Sequence, residues 1–553
     1  MNKSAIIIGS GFGGLSLGIR LQSMGFQTTI LEKLDKPGGR AYQKVVKVEG
    51  IEGEFKFDMG PTVLTVPHFI EELLSLEIGQ KFAENYPKEA LQQWQNVRSG
   101  NTSISKVEEI SKTQSPTFSP TNNTKKYLDI VPISPFYRIY FEDETFFDYD
   151  GDYENTLKQI KDLSGQEDVE GFIRFHKEAS AVFQRGFIEL GYTYFENPWQ
   201  MLKVIPEFIK LDIIQGLFSY ASKYFKSEKI RQVFSFETLL LGGNSYTVPA
   251  IYVLVHFVEK TWRIHYAKGG TGKLVEAFSK KYQELGGQIK LNSPVKQILI
   301  ENKKAVGVEI STGERFLADI VCSNADYAST YLNLLKNEKK LINSSFKVQK
   351  LTNYSMSLVV IYFAFEKTEK DDLADTLRHH NIILGGDFKN ELENIFYKDQ
   401  LTEKFSQYLH VPTITDSTIA PAGYHSAYTL ICVPNKLKNK QNWSEIGERF
   451  TDNVLDFLET KGYIPNLKKR LVHKSFITPD YFENTLNSYL GNAFGVSPLF
   501  RQSAFFRPHN KSEDFKNLYF VGASTQPGAG TPSVMMSAKM TAKKIAKDFG
   551  IEV

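Results

Sequence analysis

Three glycine-rich stretches of this chain have the residue types and spacing to grip phosphates. The first is Gly9-Ser10-Gly11-Phe12-Gly13-Gly14, directly after the apolar run Ile6-Ile7-Ile8. In such a turn Gly9 admits the sharp bend, Gly11 lets the backbone approach a pyrophosphate, and Gly14 lets the next helix pack closely on its strand. The helix start adds unpaired N–H groups and the positive end of its dipole. Glu32 closes the following apolar run, Thr28-Thr29-Ile30-Leu31, near the ~20-residue offset at which a carboxylate meets a ribose hydroxyl. These residues read as a dinucleotide site, with a ligand-free βα turn as the alternative.

The second stretch, Gly38-Gly39-Arg40, follows Glu32 closely and leads on to Phe57-Asp58-Met59-Gly60-Pro61. A nicotinamide domain would normally run into another strand and helix at this point. Here a glycine loop carries Arg40, whose guanidinium suits pyrophosphate oxygens. The third stretch begins at Gly522, after Leu518-Tyr519-Phe520-Val521, and runs through Gly528 to Pro532 before a helix expected over 533–547. Strand, loop and helix in that order make a third corner facing the same ligand, its helix dipole directed at it.

The elements that must hold these loops follow from periodicity. Strands are expected near 5–8 and 28–31, with a helix over 15–25 between them. Phe136 to Phe147 reads as a hairpin, and 156–224 as helices with short breaks. A further glycine entry, Gly269-Gly270-Thr271-Gly272, opens a helix over 274–285. Gln288 to Val295 follows, then an alternating strand pair over 297–301 and 305–310, and a buried strand over 319–325. This pattern predicts an α/β chain: a Rossmann-like dinucleotide-binding domain built from discontinuous segments, with an inserted α+β substrate domain. The glycine loop at Arg40 resembles those of flavin-binding oxidoreductases, which makes it an FAD-binding domain, with NAD or NADP as the alternative. The nucleotide segments are placed at 1–66, 265–335 and 496–553. The substrate domain takes 67–264 and 336–495, with 97–126 (rich in Ser, Thr, Asn, Lys) as a disordered insertion.

Bulk properties narrow the function. With 553 residues the chain exceeds one core and should form two domains. The formal net charge is only +3, and no basic block is interleaved with aromatics, which argues against a nucleic-acid partner. Cys322 and Cys432 lack metal-ligand or CxxC spacing, and the histidines show no HxxxH or HxH pairing, so no metal is expected. The first strand begins near Ala5, leaving no room for a signal or transit peptide. The apolar run 251–258 is far short of a membrane span. The apolar face of Val204, Ile205, Phe208, Ile209, Leu211, Ile213, Leu217 and Phe218 has two readings. It is either core or a monotopic anchor flanked by Lys203, Lys210, Lys223 and Lys226.

Further motifs carry a resemblance along almost the whole chain. They are LEKLDKPGGRAY (31–42), FDMGPTVLTV (57–66), VPISPFY (131–137), FSFETLLLGGN (234–244), GGTGKLV (269–275), FSQYLHVP (405–412), QSAFFRPHN (502–510) and the Gly/Pro loop with its helix (522–538). The sequence resembles the bacterial phytoene desaturases, flavoenzymes related to the amine oxidases. The resemblance implies FAD, held by Gly9, Ser10, Gly11, Phe12, Gly13, Gly14, Glu32, Gly39, Arg40, Gly60, Val295, Gly522 and Gly528. It implies dehydrogenation of 15-cis-phytoene to lycopene or a partly desaturated carotene, with hydride transfer from allylic carbons to the flavin. Oxygen or a quinone would then reoxidise the flavin.

Three departures stand out. These are the 97–126 insertion, Gln526 and Thr531 where the family usually has His and an aliphatic residue, and Gln200 and Lys203 where an acidic residue and an arginine are expected. Gln200, Lys203, Arg507, His509 and His410 are the catalytic candidates, each with a structural role as its alternative. A hydrocarbon substrate dissolved in lipid implies a cytoplasmic protein lying peripherally on a membrane. A carotenoid isomerase or oxidase of the same fold, and a flavin-free prenyl carrier, are the rival readings.

Overall fold

The computed structural model describes every residue except 1–2, 81, 83–102, 113–117, 371–372, 399, 403 and 438–440. A five-stranded parallel sheet gathers the distant glycine stretches. Its order is Leu518–Phe520, Ile320–Ser323, Ser4–Ile8, Gln27–Leu31 and Gln288–Lys290. The strand Ser4–Ile8 is central, with Ile8 in register with both Leu31 and Ser323. Residues 5–8 are all buried, which explains their unbroken apolar run: a parallel strand covered on both faces has no polar side.

Helix Phe12–Ser23 packs between helices Thr271–Glu284 and Thr531–Phe549 on this sheet. All three start two or three residues before the apolar pattern shows, because their first turns consist of small, Gly-rich or Pro-containing sequence. An antiparallel unit, Val295–Glu301, Lys304–Ile310 and Arg315–Leu317, lies beside the sheet.

The other half of the molecule is a seven-stranded mixed sheet. Its order is Leu471–Ile477, Ser357–Glu366, Tyr424–Val433, Gln407–His410, His380–Ile383, Tyr137–Tyr140 and Phe146–Tyr149. The expected hairpin at 136–147 forms its edge. Every residue of Ser357–Glu366 except Glu366 is buried. One face packs on helix Trp443–Thr460 through Val359, Ile361, Phe363 and Val454. The other face carries Leu358, Val360 and Tyr362 into the main core.

The helical region holds Tyr153–Ser164, Gln166–Phe183, Pro198–Lys210 and Leu217–Ala221. Of its apolar face, Val204, Phe208, Leu211, Ile213, Leu217 and Phe218 are buried, whereas Ile209 is exposed. The insertion differs from expectation where it is described. Residues 104–112 and 122–125 are helical, with Val107 and Thr124 buried. Val107 and Ser111 sit one turn apart, and Ser111 Oγ lies 2.7 Å from His176 Nε2 on helix Gln166–Phe183. A polar composition concealed this narrow inward face. Residues 97–102 and 113–117 lie outside the described residues.

Candidate functional site

A cavity of about 620 Å³ runs from the glycine turns of the parallel sheet into the gap between the two halves of the molecule. Gly9, Gly11, Phe12, Gly13, Glu32, Gly39, Arg40, Gly60, Val295, Gly522 and Gly528 line it, so the three distant stretches converge on one space. Ser10 and Gly14 stand just behind the wall. Ser10 donates from its backbone N and its Oγ to Glu32 Oε2, at 2.8 and 2.5 Å. Glu32 Oε1 accepts from the Leu34 N–H at 2.9 Å. The carboxylate is therefore fixed at the end of its strand.

Two glycines are demanded by close approach. A Cβ on Gly14 would stand 2.0 Å from the Gly9 carbonyl oxygen, and one on Gly60 would stand 2.0 Å from that of Arg40. Helices Phe12–Ser23 and Thr531–Phe549 begin at the cavity with no side-chain cap and no acidic residue in the first turn. Their first N–H groups are therefore directed at the cavity. Arg40 donates through Nη2 to Ser488 Oγ at 2.8 Å, while its buried Nε has no hydrogen-bond partner. Burial lowers its pKa, with Asp326 opposing that shift.

Beyond this polar end the wall turns apolar, with Phe187, Phe208, Phe236, Leu239, Leu358 and Leu384 among its residues. Set into it are Glu237 and Glu259, both buried. Tyr137 donates its hydroxyl hydrogen to Glu259 Oε1 at 2.8 Å, and Glu259 Oε2 is buried with no hydrogen-bond partner. Burial raises Glu237 well above the usual carboxylate range, and the charge of Glu259 adds to the shift. Burial raises Glu259 to about 7, against the hydrogen bond from Tyr137. Two neighbouring carboxyls in a dry wall resist ionising together, which favours proton uptake by the pair. The sequence reading missed this pair. The available signal was a lone acid in each of two apolar windows, Phe234 to Leu241 and Ile251 to Val258 with its neighbour Glu259.

The catalytic candidates named from sequence fall elsewhere. Gln200 completes a capping box: its Oε1 accepts from the Asn197 N–H, and its own N–H donates to Asn197 Oδ1. Lys203 is exposed on the same helix. Neither reaches the cavity, because the inner face of Pro198–Lys210 belongs to Met201, Val204 and Phe208. Arg507 is buried and laces the third glycine loop, donating from Nε to the Thr525 carbonyl at 2.9 Å and from Nη2 to that of Ala523 at 2.6 Å. His509 Nδ1 lies 2.9 Å from Glu513, which raises its pKa against burial, and Nε2 lies 3.0 Å from the Phe505 carbonyl. His410 sits behind the wall formed by Tyr408 and Tyr428.

The chain matches the family of flavin-containing amine oxidoreductases over residues 12–546. A lycopene-forming phytoene desaturase of Pantoea ananas is 37% identical over 547 residues, covering 99% of this chain and 100% of the relative. A neurosporene-forming phytoene desaturase of Rhodobacter capsulatus is 33% identical, covering 98% and 93%. The chain belongs to the bacterial phytoene desaturase family. Among solved structures, cyclohexylamine oxidase from Brevibacterium oxydans shares the fold, with a TM-score of 0.56 at 12% identity over 100% of both chains.

As a member of this flavoenzyme family the protein is an oxidoreductase whose cofactor is FAD. The residues present fit it. The unpartnered Arg40 Nε and two uncapped helix starts offer donors to a pyrophosphate, and fixed Glu32 offers an acceptor to a ribose. Gly9, Gly11, Gly13, Gly39 and Gly60 place no side chain on that wall.

Proposed function

We propose that this desaturase family member dehydrogenates 15-cis-phytoene stepwise, with lycopene as the end product. The observation that carries the reading is the single cavity that joins the converging glycine stretches to an apolar wall holding two buried carboxyls, Glu237 and Glu259. The 37% identity to a lycopene-forming relative supports the product.

The substrate has no polar handle, so shape must orient it. Each buried CH₂ is worth about 0.8 kcal/mol against water, but lipid already provides that gain, so transfer from a membrane is nearly neutral. Placement of two adjacent allylic carbons at the cofactor is what the apolar wall contributes. FAD, when bound, supplies the acceptor for the hydride that leaves one carbon. The proton that leaves the neighbouring carbon goes to the Glu237–Glu259 pair, with Glu259 the acceptor. Tyr137 orients that carboxylate, and burial keeps the neighbouring Glu237 protonated. Exclusion of water by the aromatic wall keeps the developing cation from being trapped as an alcohol.

Delivery from lipid would use helix Pro198–Lys210. Its inner face reaches the cavity, while Trp199, Leu202 and Ile209 on the outer face are 72%, 53% and 62% exposed. Lys203 and Lys210 flank them, as on a helix that lies in a headgroup layer. No helix among the described residues is long and apolar enough to cross a membrane. Expression in cells that accumulate phytoene, followed by pigment extraction, tests the reading: lycopene supports it, and unchanged phytoene contradicts it.

A further inference from the structure

Three buried imidazoles behind the cavity wall take no part in the chemistry above: His379, His380 and His410. His380 and His410 pair across the antiparallel strands His380–Ile383 and Gln407–His410, with their rings stacked 5.2 Å apart. His379 precedes that strand and turns back, placing its Nε2 3.0 Å from His410 Nε2. None is more than 3% exposed, and one ring nitrogen of each lies within 4.8 Å of the others.

The remaining nitrogens show which atoms are free. His379 Nδ1 is held by Thr415 Oγ1 at 2.8 Å, and His380 Nδ1 by the Tyr408 hydroxyl at 2.7 Å. His380 Nε2 is left buried with no hydrogen-bond partner, as is His410 Nδ1. Orphaned polar atoms of this kind are rare in folded interiors and call for a cause.

We propose that His379, His380 and His410 bind one divalent transition-metal ion of the zinc class. Imidazole nitrogen is a preferred ligand for such ions, and three histidines with an open fourth position form a common coordination set. Zn–N bonds of about 2.0–2.1 Å set ligand nitrogens about 3.4 Å apart around a tetrahedral ion. The His379–His410 pair is already near that spacing, and a tautomeric shift of the donor ring's proton from Nε2 to its own Nδ1 frees both Nε2 lone pairs. Thr415 and Tyr408 supply the outer hydrogen bonds that usually fix a ligating imidazole. Tyr408 also hydrogen-bonds Thr62 on the cavity wall at 2.9 Å, so a bound ion would anchor that wall. The motif is invisible in sequence, since strand pairing rather than local spacing assembles it.

The test is metal content of the full chain purified from zinc-supplemented cells without chelator, measured by mass spectrometry beside FAD content. The wild type should carry about one zinc per chain, and X-ray absorption should show three nitrogens at about 2.0–2.1 Å. His410→Gln and His380→Gln should each lose the zinc while keeping FAD. Wild-type zinc below about a tenth of an equivalent overturns the proposal however the variants fold. Equal zinc in wild type and FAD-containing variants also overturns it, because the ion would then sit elsewhere.

Discussion

The Tyr137 hydroxyl and Glu259 Oε1 lie 2.8 Å apart on the cavity wall, although one residue comes from a strand of the mixed sheet and the other from helix Leu254–Trp262. A buried tyrosine pointed at a carboxylate favours its ionised form, which is the form a proton acceptor needs. Glu259→Gln keeps the shape and removes the acceptor. Desaturation should fall by about 10²-fold or more, the usual contribution of a positioned base. FAD content should stay unchanged, and single-turnover product analysis checks both.

The pH profile follows from the same pair. Glu259 is raised to about 7, so turnover should rise with pH through that region as the acceptor ionises. Glu259→Gln should remove this limb. Stability runs the opposite way. Between the usual carboxylate value and about 7 the folded state holds a proton that the unfolded chain has released, so this group's contribution falls as pH rises. Denaturant titrations at pH 5 and pH 8 should therefore show wild type losing more stability toward the higher pH than Glu259→Gln does.

Gly14→Val should abolish FAD binding. Its Cβ would collide with the Gly9 carbonyl at 2.0 Å, separating helix from strand and spoiling the turn that faces the pyrophosphate. The yellow absorbance per mole of purified protein reports this directly. Gly462→Asn, whose Cβ would meet nothing within 4 Å and whose side chain tolerates the φ of +73° there, is the control expected to keep its colour.

The outer face of helix Pro198–Lys210 predicts a membrane effect separable from cofactor binding. Changing Trp199, Leu202 and Ile209 together to Ser should move the protein from floating vesicles to the soluble fraction, since each is more than half exposed. FAD content should be retained, because none of the three lines the cavity.

The convergence of the glycine stretches on one cavity was readable in the sequence because backbone geometry imposes it. Gly9, Gly39 and Gly522 hold positive φ, and a Cβ on Gly60 would stand 2.0 Å from the Arg40 carbonyl oxygen. Glu32 was readable because it ends a strand at a fixed offset. The carboxyl pair was not, since Glu237 and Glu259 meet through tertiary packing of a 3₁₀ turn and a helix, and a lone Glu in an apolar window gives no partner. The three histidines were hidden for the same reason. Gln200 and Lys203 misled because helix Pro198–Lys210 faces inward through Met201 and Phe208, so residues chosen by position in a motif fell on its outer side. The insertion misled because composition says nothing of a helix with one buried face at Val107 and Ser111.

The most direct measurement supplies purified, FAD-loaded protein with 15-cis-phytoene in liposomes and follows the carotenes by chromatography. Stepwise loss of phytoene with growth of longer polyenes ending in lycopene is the predicted result. Phytoene left intact beside a fully yellow protein would contradict it.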